Sequence, residues 1–188
     1  MKLAILGGTF DPPHIGHFFL ADMMTVEVGY DLVLFIPSNI PAHKTVESNI
    51  TPEERLKMLE QALSDTPQFR IDECELRRGG VSYSIDTVRY IKDRYGGKPA
   101  LIIGDDLVEG FSSWKESEAL PREADIFVAR RNRQDRPDLP FSHTHLDNIR
   151  IPVSSTEVRQ RIRNKQAFRY LVTEKIYSYI RENHLYVD

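Results

Sequence analysis

Short apolar runs, each halted by glycine or proline and followed by a stretch of helical spacing, recur along the whole chain, and this alternation limits the fold more than any other feature. Lys2-Leu3-Ala4-Ile5-Leu6 runs into Gly7-Gly8, as a buried strand of a parallel sheet does. Phe18, Phe19, Ala21, Asp22 and Val26 then mix apolar and polar positions at helical intervals, and Leu32-Val33-Leu34-Phe35-Ile36-Pro37 reads as the next strand. Together they make one βαβ unit. Thr51-Pro52-Glu53-Glu54 joins a cap residue, a first-turn proline and a glutamate three places after the threonine, which predicts a helix through Leu56, Leu59 and Leu63. Phe69-Arg70-Ile71 reads as a short strand, Ser84 to Tyr95 as a helix stopped by Gly96-Gly97, and Ala100-Leu101-Ile102-Ile103 as another buried strand. After the strand Ile126-Phe127-Val128-Ala129 come a polar loop from Arg130 to Asn148 and a last short strand at Ile149-Arg150-Ile151. Ser154-Ser155-Thr156-Glu157 opens a helix with a second capping box, and Val172 to Ile180 carries the spacing of another. The expected architecture is α/β, a mostly parallel sheet with helices on both faces and ligands near the carboxyl ends of its strands.

With 188 residues, 40% of them hydrophobic, the chain suits one α/β domain with a sizeable core, its C-terminal helical part beginning at about 154. The formal charge of -3 lacks the basic excess of a nucleic-acid binder, so no nucleic-acid partner is expected and any anion must be held by locally placed donors. No apolar run approaches the roughly 18 residues that a membrane span needs. The single cysteine, Cys74, excludes an internal disulfide and reads as a bystander, and without a charged-then-apolar leader the expected location is the cytoplasm.

Chemistry concentrates between the first strand and the first helix, in Gly7-Gly8-Thr9-Phe10-Asp11-Pro12-Pro13-His14-Ile15-Gly16-His17. Glycines let backbone approach a ligand closely, and the helix that follows offers unpaired N–H groups and a positive dipole end to an anion. His14 and His17, at i and i+3, fall on one face of the first turn and can grip the same polyphosphate, with Gly16 leaving room between them. The glycines do not form G-x-G-x-x-G, and no G-x-x-x-x-G-K-[ST] follows the strand. A zinc site would need further ligands, and an isolated histidine pair is more often structural or solvated.

This stretch closely resembles the G-x-F-D-P-x-H-x-G-H signature of the nucleotidyltransferase superfamily. A second signature, I-S-S-T-x-[IV]-R, is similar to Val153-Ser154-Ser155-Thr156-Glu157-Val158-Arg159, departing only at its first residue. Read without the family, Ser154, Ser155 and Thr156 place hydroxyls and N–H groups at a helix start, and the planar Arg159 guanidinium one turn on suits two phosphate oxygens; an ordinary capped helix with a solvated arginine would carry the same residues. Within the superfamily the chain most resembles the bacterial nicotinate-nucleotide adenylyltransferases. Pro41-Ala42-His43-Lys44 is similar to their P-P-H-[KR] loop, with Ala42 in place of a proline, and Ser82-Tyr83-Ser84-Ile85-Asp86-Thr87 to their S-Y-T-x-x-T segment, with Ser84 in place of threonine. Ile103-Gly104-Asp105-Asp106 resembles I-G-x-D, and Phe111-Ser112-Ser113-Trp114 resembles F-x-x-W.

The resemblance implies a Rossmann-like nucleotidyltransferase fold and transfer of the adenylyl group of ATP to nicotinate mononucleotide, with magnesium carried on the ATP phosphates. It implies catalytic roles for His14, His17, Lys44 and Arg159. ATP would be held by Gly8, Thr9, Phe10, Gly16, Gly104, Asp106, Ser154, Ser155 and Thr156 besides the histidines and Arg159. The mononucleotide would meet Lys44, Tyr83, Ser84, Thr87, Arg131 and, stacked on its pyridine, Trp114. Ser84 is expected to cap its helix while Asp86 points to solvent, and His143-Thr144-His145 reads as surface. Nicotinamide mononucleotide or phosphopantetheine as the acceptor, or a sensor that binds nucleotide without reaction, are the alternatives; the Ser82 to Thr87 segment and Trp114 argue for a pyridine ring, and intact His14, His17 and Arg159 argue for catalysis. Oligomeric state is not legible in the residues.

Overall fold

The computed structural model describes residues 1–42, 48–131 and 135–187. The apolar run at the start of the chain becomes the central strand β1 (Leu3–Gly8), with Leu3 to Leu6 buried. It is followed by α1 (Ile15–Val26), β2 (Leu32–Pro37), the two-residue β3 (Ile40–Pro41), α2 (Pro52–Leu63), β4 (Phe69–Ile71), α3 (Cys74–Arg78) and the two-residue β5 (Val81–Ser82). The second half contains α4 (Ser84–Tyr95), β6 (Ala100–Gly104), α5 (Leu120–Glu123), β7 (Asp125–Ala129), β8 (Thr144–His145), α6 (Ser155–Arg163) and α7 (Glu174–Glu182). Six strands pair in the order β4-β2-β1-β6-β7-β8, all parallel. Counted in chain order, that is the 3-2-1-4-5-6 arrangement of a doubly wound sheet, which reverses direction between β1 and β6 and takes ligands in the crevice outside the carboxyl ends of those strands.

Side chains alternate across the sheet, so each strand feeds two cores. Ile5, Leu34, Ile103 and Val128 pack on one face beneath Ile85, Val88 and Ile91 of α4. Leu6, Phe35, Ile102 and Phe127 pack on the other, against Ala21 and Met24 of α1 and Leu59 and Leu63 of α2. A third cluster joins Met58 of α2 to Val158 and Ile162 of α6 and Ile176 and Ile180 of α7, so the C-terminal helices dock on α2. Among the described residues no helix is long and apolar enough to cross a membrane.

The predicted start of α2 forms as read: Thr51 Oγ1 accepts from Glu54 N–H at 3.2 Å and Glu54 returns to Thr51 N–H at 3.2 Å. Gly96 ends α4 at φ 74°, a conformation that favours glycine. Three expectations need correction. The sheet's last strand is Thr144–His145, paired with Phe127 and Val128, whereas Ile149 is 70% exposed and unpaired with the sheet. Asn148 explains the stop, since its amide accepts from Arg130 N–H at 2.8 Å and donates to Arg130 O at 2.9 Å, tying off the end of β7. At α6, Ser154 Oγ accepts from Glu157 N–H at 3.1 Å, but Glu157 accepts from Arg161 Nε at 2.6 Å instead of turning back to the cap, so the box is half made. Lastly, α3 and the small parallel pair β3–β5 arise where no element was predicted.

Candidate active site

The loop between β1 and α1 is built under constraint. A Cβ on Gly8 would stand 3.1 Å from the Phe10 ring, and Phe10 itself is buried at φ 52°, a left-handed conformation that a non-glycine residue holds only when its surroundings enforce it. The enforcement comes from behind the loop. Arg55 Nη1 donates to Thr9 O at 2.6 Å, Arg159 Nη1 to Asp11 O at 2.8 Å, and Ser155 Oγ to Pro12 O at 2.9 Å. The buried Asp11 carboxylate accepts from Tyr186 OH at 2.8 Å and Ser48 Oγ at 2.6 Å, with Arg159 Nη1 3.7 Å away. Burial, reinforced by the Asp11 charge and hydrogen bond, pushes the Tyr186 hydroxyl far upward, so it stays protonated and donates. Burial also pulls the Arg55 guanidinium below its ordinary value, against the opposing pull of Asp11.

On the open side of this loop, His14 is the N-cap of α1 and His17 stands one turn on. Their rings stack with centroids 3.7 Å apart, and Phe10 meets His17 edge-on at 4.9 Å. His14 N–H donates to His17 Nδ1 at 3.2 Å. That bond makes Nδ1 an acceptor, so a neutral His17 carries its proton on Nε2 as a donor. Gly16 fits closely here, since a Cβ would stand 3.1 Å from His14 Nδ1 and 3.3 Å from Val153. The Thr9 hydroxyl is buried with no hydrogen-bond partner among the described residues, a polar atom still to be satisfied beside the loop.

His14 and His17 face an open cleft lined also by Gly16, Arg130, Arg131, Asn148 and Ser154, with Phe19, Leu20, Ile149, Ile151 and Val153 forming its apolar wall. Two helix N-termini, that of α1 at His14 and that of α6 at Ser154, therefore converge on one space. Arg131 pairs with Asp106 at 3.3 Å above Gly104, and a Cβ on Gly104 would meet the Asp106 carboxylate and stand 2.6 Å from Arg131 Cδ. Thus Gly104 leaves room for an ion pair at the carboxyl end of β6. Lys44 lies outside the described residues.

The remaining expected residues gather around the start of α4. Ile40↔Val81 and Pro41↔Ser82 pairing, with Asn39 N–H donating to Ser82 Oγ at 3.0 Å, brings the Pro41-Ala42 segment beside Tyr83. The N-cap is Tyr83 and not Ser84, because Tyr83 holds the extended backbone of a cap residue while Ser84 is already in the first turn, and the Tyr83 side chain makes no capping bond. Asp86 is part-exposed but paired, since Lys115 binds both its oxygens at 2.9 and 3.0 Å and also lies 5.0 Å from the Tyr83 ring. The Thr87 hydroxyl is buried against Glu75. Trp114 is 8% exposed and stacks on Phe111 at 4.8 Å, in the same core cluster that Tyr83 packs against. Burial pushes the Cys74 thiol up to about 12, which suits a bystander. His145 on the edge strand and His143 just before it are part-buried, not free surface.

Sequence reading missed Arg55, Ser48 and Tyr186 as supports of the loop. For Arg55 a signal existed: it shares the buried face of α2 with Met58, Leu59 and Leu63, and an arginine on an apolar stripe must be paired inside. Tyr186 follows the last helix with nothing local to mark it.

Residues 5–161 match the family model described as cytidylyltransferase-like. Over its full 188 residues the chain is 41% identical to the probable nicotinate-nucleotide adenylyltransferase of Borrelia garinii subsp. bavariensis, covering 95% of that protein. The chain belongs to the nicotinate-nucleotide adenylyltransferase family. A relative of that name from Treponema pallidum is 35% identical, with 99% of each chain covered. Among solved structures, the nicotinic acid mononucleotide adenylyltransferase of Plasmodium falciparum complexed with NaAD superimposes at a TM-score of 0.78 over 98% of this chain and 97% of that one, at 18% identity. A putative nicotinate-nucleotide adenylyltransferase from Vibrio parahaemolyticus superimposes at 0.73 with 17% identity, covering 99% of this chain and 96% of that one.

Proposed function

We propose that the chain transfers the adenylyl group of ATP to nicotinate mononucleotide, giving nicotinate adenine dinucleotide and pyrophosphate. The observation that carries this reading is the convergence of two helix N-termini and a histidine pair on one cleft at the switch point of the sheet. The mononucleotide's phosphate oxygen attacks the α-phosphorus of ATP, the new P–O bond forms as the bond to pyrophosphate breaks, and no covalent enzyme intermediate arises. A phosphate monoester is already largely ionised at neutral pH, so a general base is dispensable. His17 Nε2–H and His14 would donate to the phosphoryl oxygens as charge shifts toward the leaving group, with Gly8, Thr9 and Phe10 lining the backbone approach.

Arg159 is bonded to the Asp11 carbonyl and to Thr156 Oγ1, at 2.8 and 3.3 Å, and would position the loop as well as supply positive charge. Lys44 and Arg131 would add positive charge. Magnesium would enter on the ATP phosphates as part of the substrate. That fits the residues present, since the Asp11 carboxylate is engaged by Ser48, Tyr186 and Arg159.

The same reading assigns the pyridine end to α4. An N-terminus whose Tyr83 cap residue makes no side-chain capping bond leaves first-turn N–H groups for a carboxylate, and Lys115 offsets the repulsion that Asp86 would otherwise exert on it. Trp114 would close the pyridine pocket from within the core. Charge-assisted bonds of this kind contribute about 1.5–3 kcal/mol, so replacing the carboxylate with a neutral amide should lower kcat/KM by about 10-fold to 150-fold. Pyrophosphate release measured with the acid and the amide mononucleotides at equal ATP tests this, and a ratio near one would sink the assignment of the acid.

A further inference from the structure

We propose that Asp138, His143 and His145 form a binding site for a divalent transition-metal ion of the zinc type, which clamps the loop after β7 to the edge strand β8. The two histidines flank Thr144 on an extended segment, so their side chains project from the same face. His143 Nε2 and His145 Nε2 lie 3.1 Å apart, and Asp138 Oδ1 stands 3.2 Å from the second and 3.5 Å from the first. A tetrahedral ion with bonds of about 2.0–2.1 Å has ligand-to-ligand edges of about 3.3–3.4 Å, so the triangle matches one face of such a site.

The protonation logic points the same way. His143 Nδ1 lies 2.8 Å from Phe141 O, an acceptor, so Nδ1 carries the proton and Nε2 of the neutral ring presents a lone pair. His145 Nε2 then faces that lone pair on one side and a carboxylate on the other, and a single proton satisfies both poorly. A cation among the three atoms satisfies all of them. The backbone carbonyl that fixes the His143 tautomer is the usual outer partner of a ligating imidazole. Two imidazoles and one carboxylate favour zinc or a neighbouring transition ion over magnesium or calcium, and leave a fourth position to water.

The loop is shaped to hold the ligands there. Leu139, beside Asp138, is 6% exposed in the core cluster, and Phe141 packs on Phe111 at 5.2 Å. The Asp138 side chain, by contrast, is 83% exposed, so an ion has access from solvent.

The test uses the whole chain without a histidine tag, stripped with a chelator and then titrated with Zn²⁺ against a chromophoric competitor. One equivalent should bind, Co²⁺ should give the intense visible absorption of a tetrahedral complex, and Zn²⁺ at about 100 times its Kd should raise Tm by about 5–10 °C. His145→Gln and the exposed Asp138→Asn should each weaken uptake at least tenfold, while the double variant His14→Ala/His17→Ala should retain it. Absence of stoichiometric uptake, uptake unchanged in both His145→Gln and Asp138→Asn, or uptake lost in His14→Ala/His17→Ala would overturn the site. Adenylyl transfer is not the readout, so either outcome leaves the proposed reaction standing.

Discussion

His14 and His17 at the start of α1, and His143 and His145 at the edge strand β8, are two histidine pairs with opposite company. The first pair sits on a helix start, its rings stacked at 3.7 Å, with a backbone N–H fixing one ring and Arg130 and Arg131 lining the same cleft. The second sits on an extended strand, with a carboxylate 3.2 Å from one ring and a carbonyl 2.8 Å from the other. Imidazole serves either as donor or as ligand, and the groups around it decide which. Donors and cations around the first pair suit an anion. Acceptors around the second suit a cation.

The largest effect that tests this contrast concerns the support behind the first pair. Asp11→Ala removes a buried carboxylate and leaves Arg55 and Arg159 without it, so unfolding free energy from denaturant titration should fall by about 3–5 kcal/mol. A loss under about 1 kcal/mol would show that the loop is not held by this network, and the stacked pair would need another explanation.

Next in size is the pair itself. His17→Ala should lower turnover by about 100-fold or more, the range for removing one donor to a transition state, with circular dichroism and Tm near those of the parent. Near-normal turnover in a folded variant would strip the first pair of its anion-facing role. The smallest effect is expected from His143→Gln/His145→Gln measured without added metal, where turnover should stay within about twofold because neither ring lines the cleft of His14 and His17. A drop as large as that of His17→Ala would erase the distinction between the pairs.

The sequence made the sheet legible because its central strands are buried on both faces and therefore read as uninterrupted apolar runs, Leu34-Phe35-Ile36 being the clearest. The edge strand escaped for the same reason in reverse: two residues, one of them the exposed Thr144, carry no period, and Ile149-Arg150-Ile151 nearby offered a more apolar decoy. The front of the site was legible through local motifs, since His14, Gly16 and His17 act within one helical turn. Its rear was not. Asp11, Arg55, Ser48 and Tyr186 meet only after the chain has folded, and pairing between distant polar residues leaves no spacing to read. The start of α4 falls between these cases: the helix was predicted with its bounds, yet the cap moved by one residue and Asp86 found Lys115, a partner 29 positions away.

The bond from Tyr186 to Asp11 spans 175 positions. During synthesis at about 5–20 residues per second, β1 and its loop would wait on the order of 10–35 s after Asp11 is made before the residue that locks them exists. Until then the Asp11 carboxylate lacks one of its donors and Phe10 is held in its left-handed conformation by fewer supports. The nascent chain would therefore build its sheet first and finish its binding loop last, so the synthesis of Tyr186, and not collapse of the core, sets the moment at which this loop is fully supported.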